Sequence, residues 1–168
     1  FEFCYSLTSV NIPDSVTTIG EAAFYYCYSL TSVNIPESVT TIGVRAFAHC
    51  SKLKEFTGKY AADGGRCLII DNTIIAYAYA SGTTYNIPDS VKTIGQYAFS
   101  VCDSLTSVNI PESVTTIGES AFSWCPSLTS VNIPDSVKTI GQYAFYSCDS
   151  LKYVYCKATT PPALGGSN

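Results

Sequence analysis

Residues 30–50 read Leu30-Thr-Ser-Val33-Asn-Ile35-Pro36-Glu-Ser38-Val39-Thr-Thr-Ile42-Gly43-Val-Arg-Ala46-Phe47-Ala-His-Cys50, and the same pattern returns along the chain. Its proline recurs at spacings of 23, 52, 23 and 23 residues, at Pro13, Pro36, Pro88, Pro111 and Pro134. A second motif, Phe-x-x-Cys-x-x-Leu, has its cysteine at Cys4, Cys27, Cys50, Cys102, Cys125 and Cys148. Self-similarity at a fixed period of about 20–50 residues is typical of repeat architectures. The sequence therefore predicts an array of 23-residue units.

Each unit is predicted to contain a strand, a turn and a short helical turn. Val33 and Ile35 alternate with polar residues, as in a strand with one buried face. Pro36 ends this strand because it has no N–H to donate to a ladder. After Gly43, which permits a turn, apolar residues spaced by one and four positions up to Cys50 favour a short helical turn.

Units of this kind bury their apolar face only against their neighbours. Stacking places equivalent strands side by side at about 4.8 Å in a parallel sheet. Columns of Leu, Val and Ile then fill the core from one side, and columns of Phe and Cys fill it from the other. The predicted fold class is an α/β repeat solenoid with a parallel sheet along one side and short helical turns along the other. Residues 1–168 are predicted to form one such array.

The unit Leu-x-x-Val-x-Ile-Pro-x-Ser-Val-x-x-Ile-Gly-x-x-Ala-Phe-x-x-Cys resembles the consensus of the BspA-type leucine-rich repeat over nearly the whole chain. This resemblance implies a right-handed leucine-rich-repeat superhelix. It also implies a secreted or cell-surface protein, because proteins of this type are extracellular or surface molecules of bacteria and some parasitic protists, and several are adhesins. The ladder position of the common leucine-rich repeat is held here by Ser15, Ser38, Ser90, Ser113 and Ser136. A hydroxyl can serve the backbone groups of a tight turn in the same way.

The 52-residue gap between prolines predicts one enlarged and rewritten unit. Residues 58–84 are expected to form an island built around a β-hairpin, a feature that repeats of this family often carry. In it, Cys67-Leu-Ile-Ile70 and Thr73-Ile-Ile-Ala-Tyr77 would pair across the turn Asp71-Asn72. The chain starts within a repeat and shows no polar capping repeat, so we expect it to be a fragment of a larger protein.

Charge and hydropathy argue against two classes of protein. Nine Lys and Arg residues against thirteen Asp and Glu residues leave a net charge of −4, which disfavours nucleic-acid binding. The longest apolar run, residues 74–80, is far shorter than the roughly 20 residues of a membrane-spanning helix, so no membrane insertion is expected. No signal peptide is recognised at the first residues.

Eight cysteines raise the questions of disulfides and metal binding. Six share one repeat position, where stacking would hold their Cβ atoms near the ~4.8 Å coil spacing, beyond the ~3.8 Å usual for a disulfide. We expect buried free thiols, with disulfides and metal binding as alternatives. Cys67 and Cys156 are interpreted as small core residues. No metal or other cofactor is expected, because neither Cys-x-x-Cys nor His-x-x-x-His spacing occurs.

His49 is the only histidine and neighbours Cys50, which superficially suggests a base and a nucleophile. Adjacent residues on a helical turn point in different directions, however, and Cys50 belongs to the buried column. The chain offers no second histidine, phosphate-binding loop or separate carboxylate pair for acid–base or nucleophilic chemistry. It is therefore predicted not to be an enzyme.

The outward strand positions repeat a small polar Thr-Ser-x-Asn pattern, which is typical of a solvated scaffold. Departures from it are better candidates for a site, since aromatic side chains offer contact area at low entropic cost. The candidate partner-binding residues are Lys54, Glu55, Tyr60, Tyr77, Tyr79, Trp124, Tyr153 and Tyr155. Variation between repeats also collects after each Phe, at Tyr25, Tyr26, Tyr28, His49, Val101 and Trp124.

The leading functional hypothesis is a monomeric array that binds extracellular or host proteins through its sheet face and the island. A second hypothesis is a structural spacer that projects another domain, which near-identical repeats favour. A third is binding of carbohydrate or a cell-wall polymer through aromatic side chains.

Overall fold

The computed structural model describes residues 1–166, which form a solenoid of stacked coils built from short strands. The described strands are β1 Thr18–Ile19, β2 Ser32–Ile35, β3 Thr41–Ile42, β4 Glu55–Gly58, β5 Ala61–Ala62, β6 Cys67–Ile70, β7 Thr73–Tyr77, β8 Thr84–Asn86, β9 Thr93–Ile94, β10 Ser107–Asn109, β11 Thr116–Ile117, β12 Ser130–Ile133, β13 Thr139–Ile140, β14 Tyr153–Cys156 and β15 Ala163–Leu164. Within these 166 residues, no helix is long and apolar enough to cross a membrane.

One side of the solenoid is formed by the Ser-Val-Asn strands, which we call the first sheet. β2 pairs with β4, and β14, β12, β10 and β8 form a four-stranded run in that order, all parallel. Val33 pairs with Phe56 and Val108 pairs with Val131. Each of these steps is one 23-residue unit in register. The predicted parallel sheet and its period are confirmed.

The short Thr-Ile strands lie along another side of the solenoid in two separately hydrogen-bonded groups, which together we call the second sheet. β1 pairs with β3, and β15, β13, β11, β9 and β7 follow one another in parallel. Strand β7 belongs to the enlarged unit that contains the island of residues 58–84, which we call the irregular unit. Its Thr73 and Ile74 nevertheless pair in register with Thr93 and Ile94. The irregular unit therefore supplies a strand of the same sheet as the regular coils.

The core lies between the sheets and the turns that connect them, and it is arranged in columns. Leu30, Val33 and Ile35 are buried from the strand side, as the alternating pattern predicts. On the opposite side, phenylalanine rings stack nearly parallel, with centroids 5.4 Å apart for Phe24 and Phe47. Burying each of these large side chains contributes about 1.5–3 kcal/mol. The columns are therefore the main source of stability.

The segments that follow each second-sheet strand, residues 20–27, 43–50, 95–102, 118–125 and 141–148, are turns rather than the predicted helical turns. Phe24 donates its N–H to the Ala46 carbonyl of the next coil at 2.8 Å, whereas Tyr25 donates to Ala22 within its own segment at 3.0 Å. Two residues in each segment have positive φ, at Ala22, Tyr26, Arg45, His49, Tyr97, Val101, Ser120, Trp124, Tyr143 and Ser147. A helix requires negative φ throughout and internal bonds at every residue. The helical prediction was wrong because alternate N–H groups bond to the neighbouring coil.

The irregular unit contains an antiparallel hairpin in which β6 pairs with β7. Its turn residues Asp71 and Asn72 both have positive φ, as a two-residue hairpin turn of type I′ requires. At the end of β7, Tyr77 takes the place of the missing repeat phenylalanine. Its ring packs on that of Phe99 with centroids 4.9 Å apart, and its N–H donates to Ala98 in the way Phe99 donates to Ala121. Tyr77 thus extends the aromatic column of Phe99, Phe122 and Phe145 into the irregular unit.

Two of the ladder serines act as predicted. The Ser38 hydroxyl donates to the Val16 carbonyl of the preceding coil at 2.7 Å, and Ser136 donates to Val114 at the same distance. Each bond ties a serine to the residue that follows its equivalent one coil earlier.

Candidate functional site

The surface of the turn segments contains an open groove of about 750 Å³, which we call the turn-face groove. Half of its lining residues are aromatic, at Tyr25, Tyr26, Tyr28, His49, Tyr97, Trp124, Tyr143 and Tyr146. These residues come from five coils, two that precede the irregular unit in the sequence and three that follow it. The groove therefore runs along the solenoid rather than within one repeat.

The groove forms because one repeat position carries large side chains in some coils and small ones in others. The position after the repeat phenylalanine is Tyr25 near the start and Tyr146 near the end, but Ser100 and Ser123 in between. The two serine hydroxyls lie 2.9 Å apart in a buried hydrogen bond, and Ser123 also bonds to the Ser120 carbonyl at 3.0 Å. The serines are the floor of the groove.

Tyr25, Tyr26 and His49 form the N-terminal wall. The ring of Tyr26 lies 4.3 Å from that of Tyr25 and 4.1 Å from that of His49, measured between centroids. Burial lowers the pKa of His49 to about 4, so the imidazole is neutral at pH 7. Burial, followed by the neighbouring Tyr26, raises the pKa of Tyr25 to about 12. This wall is consequently an uncharged aromatic surface.

Trp124, Tyr143 and Tyr146 form the C-terminal wall. Tyr146 meets both other rings edge to face, with centroids 5.7 Å from Trp124 and 5.6 Å from Tyr143. Trp124 is 55% exposed and Tyr146 is 49% exposed. Large exposed aromatics held by one another are typical anchors for a binding partner.

The rim of the groove carries the carboxylates of Asp103 and Asp149, both exposed. Neither belongs to an ion pair in the described part of the chain, where the salt bridges are Arg45 with Glu21 and Arg66 with Asp63. Asp103 lies near Tyr28 despite the intervening irregular unit. Burial first, then Tyr26, Tyr5 and Asp103, raise the pKa of the Tyr28 hydroxyl.

Arg45 lies beside the groove but its charge is already compensated. Its guanidinium bonds to the Glu21 carboxylate at 2.6 Å and sits over the Tyr97 ring, 5.3 Å from the centroid. No lysine or arginine is among the residues that line the groove. The electrostatic character of the described groove is therefore acidic.

The candidate residues chosen from sequence do not form one site. Trp124 lies in the turn-face groove, whereas Tyr153 and Tyr155 are exposed on β14 of the first sheet with stacked rings 6.1 Å apart. Lys54 and Glu55 are exposed at the start of β4. The structure thus divides these residues between two faces of the solenoid.

The island tyrosines are placed differently from the sequence interpretation. Tyr77 and Tyr79 are buried, so their assignment to a binding surface was wrong. Tyr77 fills the phenylalanine column, and Tyr79 is enclosed between coils, where burial raises its pKa well above its usual value. Tyr60 is half-buried, with its hydroxyl bonded to the Val39 carbonyl at 3.2 Å and Lys59 over its ring.

Sequence reasoning did not select most of the groove. The variation after each phenylalanine was a usable signal for Tyr25, Tyr26, Tyr28, His49 and Val101. Tyr146 holds the same varying position as Tyr25 and was overlooked. Tyr97 and Tyr143 precede the repeat phenylalanine, outside the positions where variation was noted.

The repeat cysteines hold neighbouring coils together as free thiols. Cys50 donates its S–H to the Phe24 carbonyl of the preceding coil at 3.2 Å, and Cys125 donates likewise to Phe99 at 3.1 Å. Among residues 1–166, no three His, Cys, Asp or Glu side chains lie close enough to hold a metal ion. Cys67 is buried, but Cys156 is exposed, so its interpretation as a core residue was wrong. It lies on β14, which no further described strand covers.

The thiols are expected to differ sharply in reactivity. In the native protein at pH 8, iodoacetamide should alkylate Cys156 on the order of 100-fold faster than Cys50, because the thiolate is the nucleophile. Burial excludes the reagent from Cys50 and raises its pKa to about 12, whereas Cys156 is exposed. Timed labelling with peptide mass spectrometry measures both rates, and labelling in urea is the control in which they should converge. Equal native rates would contradict the buried column.

Comparison with known protein families agrees with the resemblance seen in the sequence. The model of the family "BspA type Leucine rich repeat region" matches six copies, over residues 1–61 and 72–161. No curated protein matches the chain significantly.

Among solved structures, the chain is similar to a leucine-rich cell surface protein from Faecalibacterium prausnitzii A2-165, with 30% identity, a TM-score of 0.68, and coverage of 95% of this chain and 56% of that one. It is similar to the leucine-rich repeat protein of T. pallidum, with 30% identity, a TM-score of 0.55, and coverage of 89% and 71%. A leucine-rich repeat protein from Eubacterium ventriosum shares the fold at 24% identity and a TM-score of 0.66, with coverage of 95% and 56%. The chain thus spans 56% of the length of the first and third of these proteins.

Proposed function

Because the chain belongs to the BspA-type leucine-rich repeat family, we propose that it is a non-catalytic binding module of a secreted or cell-surface protein, and that it recognises extracellular or host proteins. The observation that carries the proposal is the turn-face groove, in which exposed aromatic side chains from five coils converge on a serine floor. The similarity to a protein described as a leucine-rich cell surface protein supports the location.

The groove supports binding better than the first sheet does. Outside β4 and β14, the outward residues of that sheet are small Thr, Ser and Asn side chains with little area for a hot spot. Trp and Tyr are the residues that most often carry binding energy at interfaces, and the groove concentrates them. The uniform first sheet favours the alternative role of a spacer, which the same experiment tests.

The test exchanges groove residues for those found at the same place in other coils, which keeps the fold intact. Trp124→Ser introduces the residue of Ser147, and Tyr146→Ser introduces that of Ser123. Binding to a panel of purified extracellular matrix proteins, measured by surface plasmon resonance, should fall by about 30-fold or more in this double variant, as expected for the loss of two aromatic anchors.

The matched control changes two equally exposed tyrosines on the first sheet. Tyr153→Ser and Tyr155→Asn introduce the residues of their strand partners Ser130 and Asn132. This variant should bind within about twofold of wild type, and circular dichroism should show both variants folded. Loss of binding in the control alone would move the site to the first sheet. No binding by the wild-type chain to any member of the panel would favour the spacer.

A further inference from the structure

The turn-face groove combines aromatic walls with unpaired negative charge. Asp103 and Asp149 stand at its rim without an ion pair in the described chain, and no basic residue lines it. The only nearby guanidinium, that of Arg45, is held by Glu21. Aromatic faces and carboxylates both attract cations, the first through the ring quadrupole and the second through charge. The groove is therefore complementary to a positively charged partner.

The two carboxylates have a spacing that a specific backbone conformation can match. Asp103 and Asp149 occupy the same repeat position two coils apart, and adjacent coils stack with Phe rings 4.9 and 5.3 Å apart. The carboxylate positions are thus separated by about 10 Å along the solenoid. A polyproline II segment advances about 3.1 Å per residue with three residues per turn, so side chains at every third position project from one face about 9.3 Å apart.

The length and lining of the groove fit the same kind of ligand. Its lining comes from five coils, so it extends over at least four coil steps, or about 19 Å, which corresponds to roughly six residues of polyproline II. Grooves lined by Trp and Tyr are a recurrent docking surface for this conformation, because proline rings pack flat on aromatic side chains and little backbone entropy is lost. The serine floor leaves room between the two aromatic walls.

We propose that the turn-face groove binds a proline-rich, polyproline II segment of a partner protein that carries arginine or lysine at every third position. The basic side chains pair with Asp103 and Asp149 and lie on the rings of Trp124 and Tyr146, while prolines contact the aromatic walls. This rests on the proposed function of the chain as a protein-binding module and specifies the chemistry of its partner.

The test uses fluorescence anisotropy with a labelled nine-residue peptide, (Arg-Pro-Pro)₃. Two peptides are compared with it: one with citrulline in place of each arginine, and one with the same composition but three consecutive arginines followed by six prolines. Wild-type protein should bind the first peptide at least tenfold more tightly than either comparison peptide. Equal binding of the arginine and citrulline peptides would overturn the proposal, as would equal binding of the two arginine arrangements.

Protein variants separate the groove from general electrostatic attraction to an acidic chain. Asp103→Asn with Asp149→Asn should weaken binding of (Arg-Pro-Pro)₃ at least tenfold, and Trp124→Ser should weaken it to a similar degree. Glu112→Gln with Asp135→Asn changes net charge equally at exposed sites outside the groove and should change affinity less than twofold. Equal effects of the two acidic pairs would overturn the proposal.

The outcomes also distinguish this inference from the proposed function. If matrix-protein capture depends on Trp124 and Tyr146 but (Arg-Pro-Pro)₃ does not bind, the partner chemistry is wrong while the binding function stands. A glycan array serves as the other arm: Trp124-dependent glycan binding without peptide binding would overturn the peptide assignment in favour of carbohydrate.

Discussion

Replacing Phe122 by alanine is expected to lower the free energy of unfolding by about 3–5 kcal/mol, the range for deleting a buried aromatic ring. Phe122 is fully buried, and its ring stacks between those of Phe99 and Phe145 at centroid distances of 4.9 and 5.3 Å. Removing it leaves a cavity that both neighbouring coils share. Urea denaturation followed by circular dichroism measures the loss.

The matched control is Phe1→Ala, which removes the same ring from the same column. Phe1 is 70% exposed and stacks on Phe24 alone, 5.5 Å away. We expect this variant to lose less than about 1 kcal/mol, because little apolar area leaves the core. Equal losses in the two variants would mean that the column does not carry the stability assigned to it.

Gly118→Ala is expected to destabilise the array by about 3 kcal/mol, at the upper end of the usual cost of overpacking. A Cβ atom at this glycine would lie 2.8 Å from the backbone of the preceding coil, at Gln96 N, Gly95 C and Ile94 O. These are main-chain atoms within a hydrogen-bonded stack, so no side chain can rotate away. The two coils must separate locally, which also strains the bond from Gly118 N–H to Ile94 O.

Gly20 provides the control for this substitution, because it holds the same repeat position with no described coil before it. A Cβ atom at Gly20 meets nothing within 4 Å, and its φ is not positive. Gly20→Ala should leave stability unchanged or raise it by up to about 1 kcal/mol through the unfolded chain. A thermal melt of both variants is sufficient. If Gly118→Ala and Gly20→Ala have the same melting temperature, the close approach of the coils is not the reason for glycine at position 118.

The strands and their register could be predicted from the sequence because each repeat has the same alternation of apolar and polar residues. A shift of one residue would expose Val33 and Ile35 together, so period and burial agree at every coil. The turn segments could not be predicted in this way. The spacing ending at Cys50 is compatible with a helix, and only bonds to the next coil, such as Phe24 to Ala46, favour the turn.

The candidate site was less accessible from sequence than the fold. Trp124 was identified because it departs from the repeat, but departure alone did not separate exposed residues from buried ones. Tyr77 departs from the repeat in sequence and yet restores it in space by occupying the phenylalanine column. The groove depends on how the side chains of several coils differ at one repeat position. Ser100 and Ser123 form a floor because the same position, directly after the repeat phenylalanine, carries Tyr25 and Tyr146 in coils on either side of them.

The left-handed turn residues have a further consequence for how such arrays diversify. Tyr26, His49 and Trp124 all have φ near +60°, a conformation that costs an L-residue about 1–2 kcal/mol and that glycine adopts freely. The chain keeps bulky side chains at these places, and those side chains are the walls of the groove. On the proposed function, recognition and folding would therefore compete for the same few backbone sites. Substitutions at these sites would then change the ligand one coil at a time, within the limit set by the stability of the stacked columns.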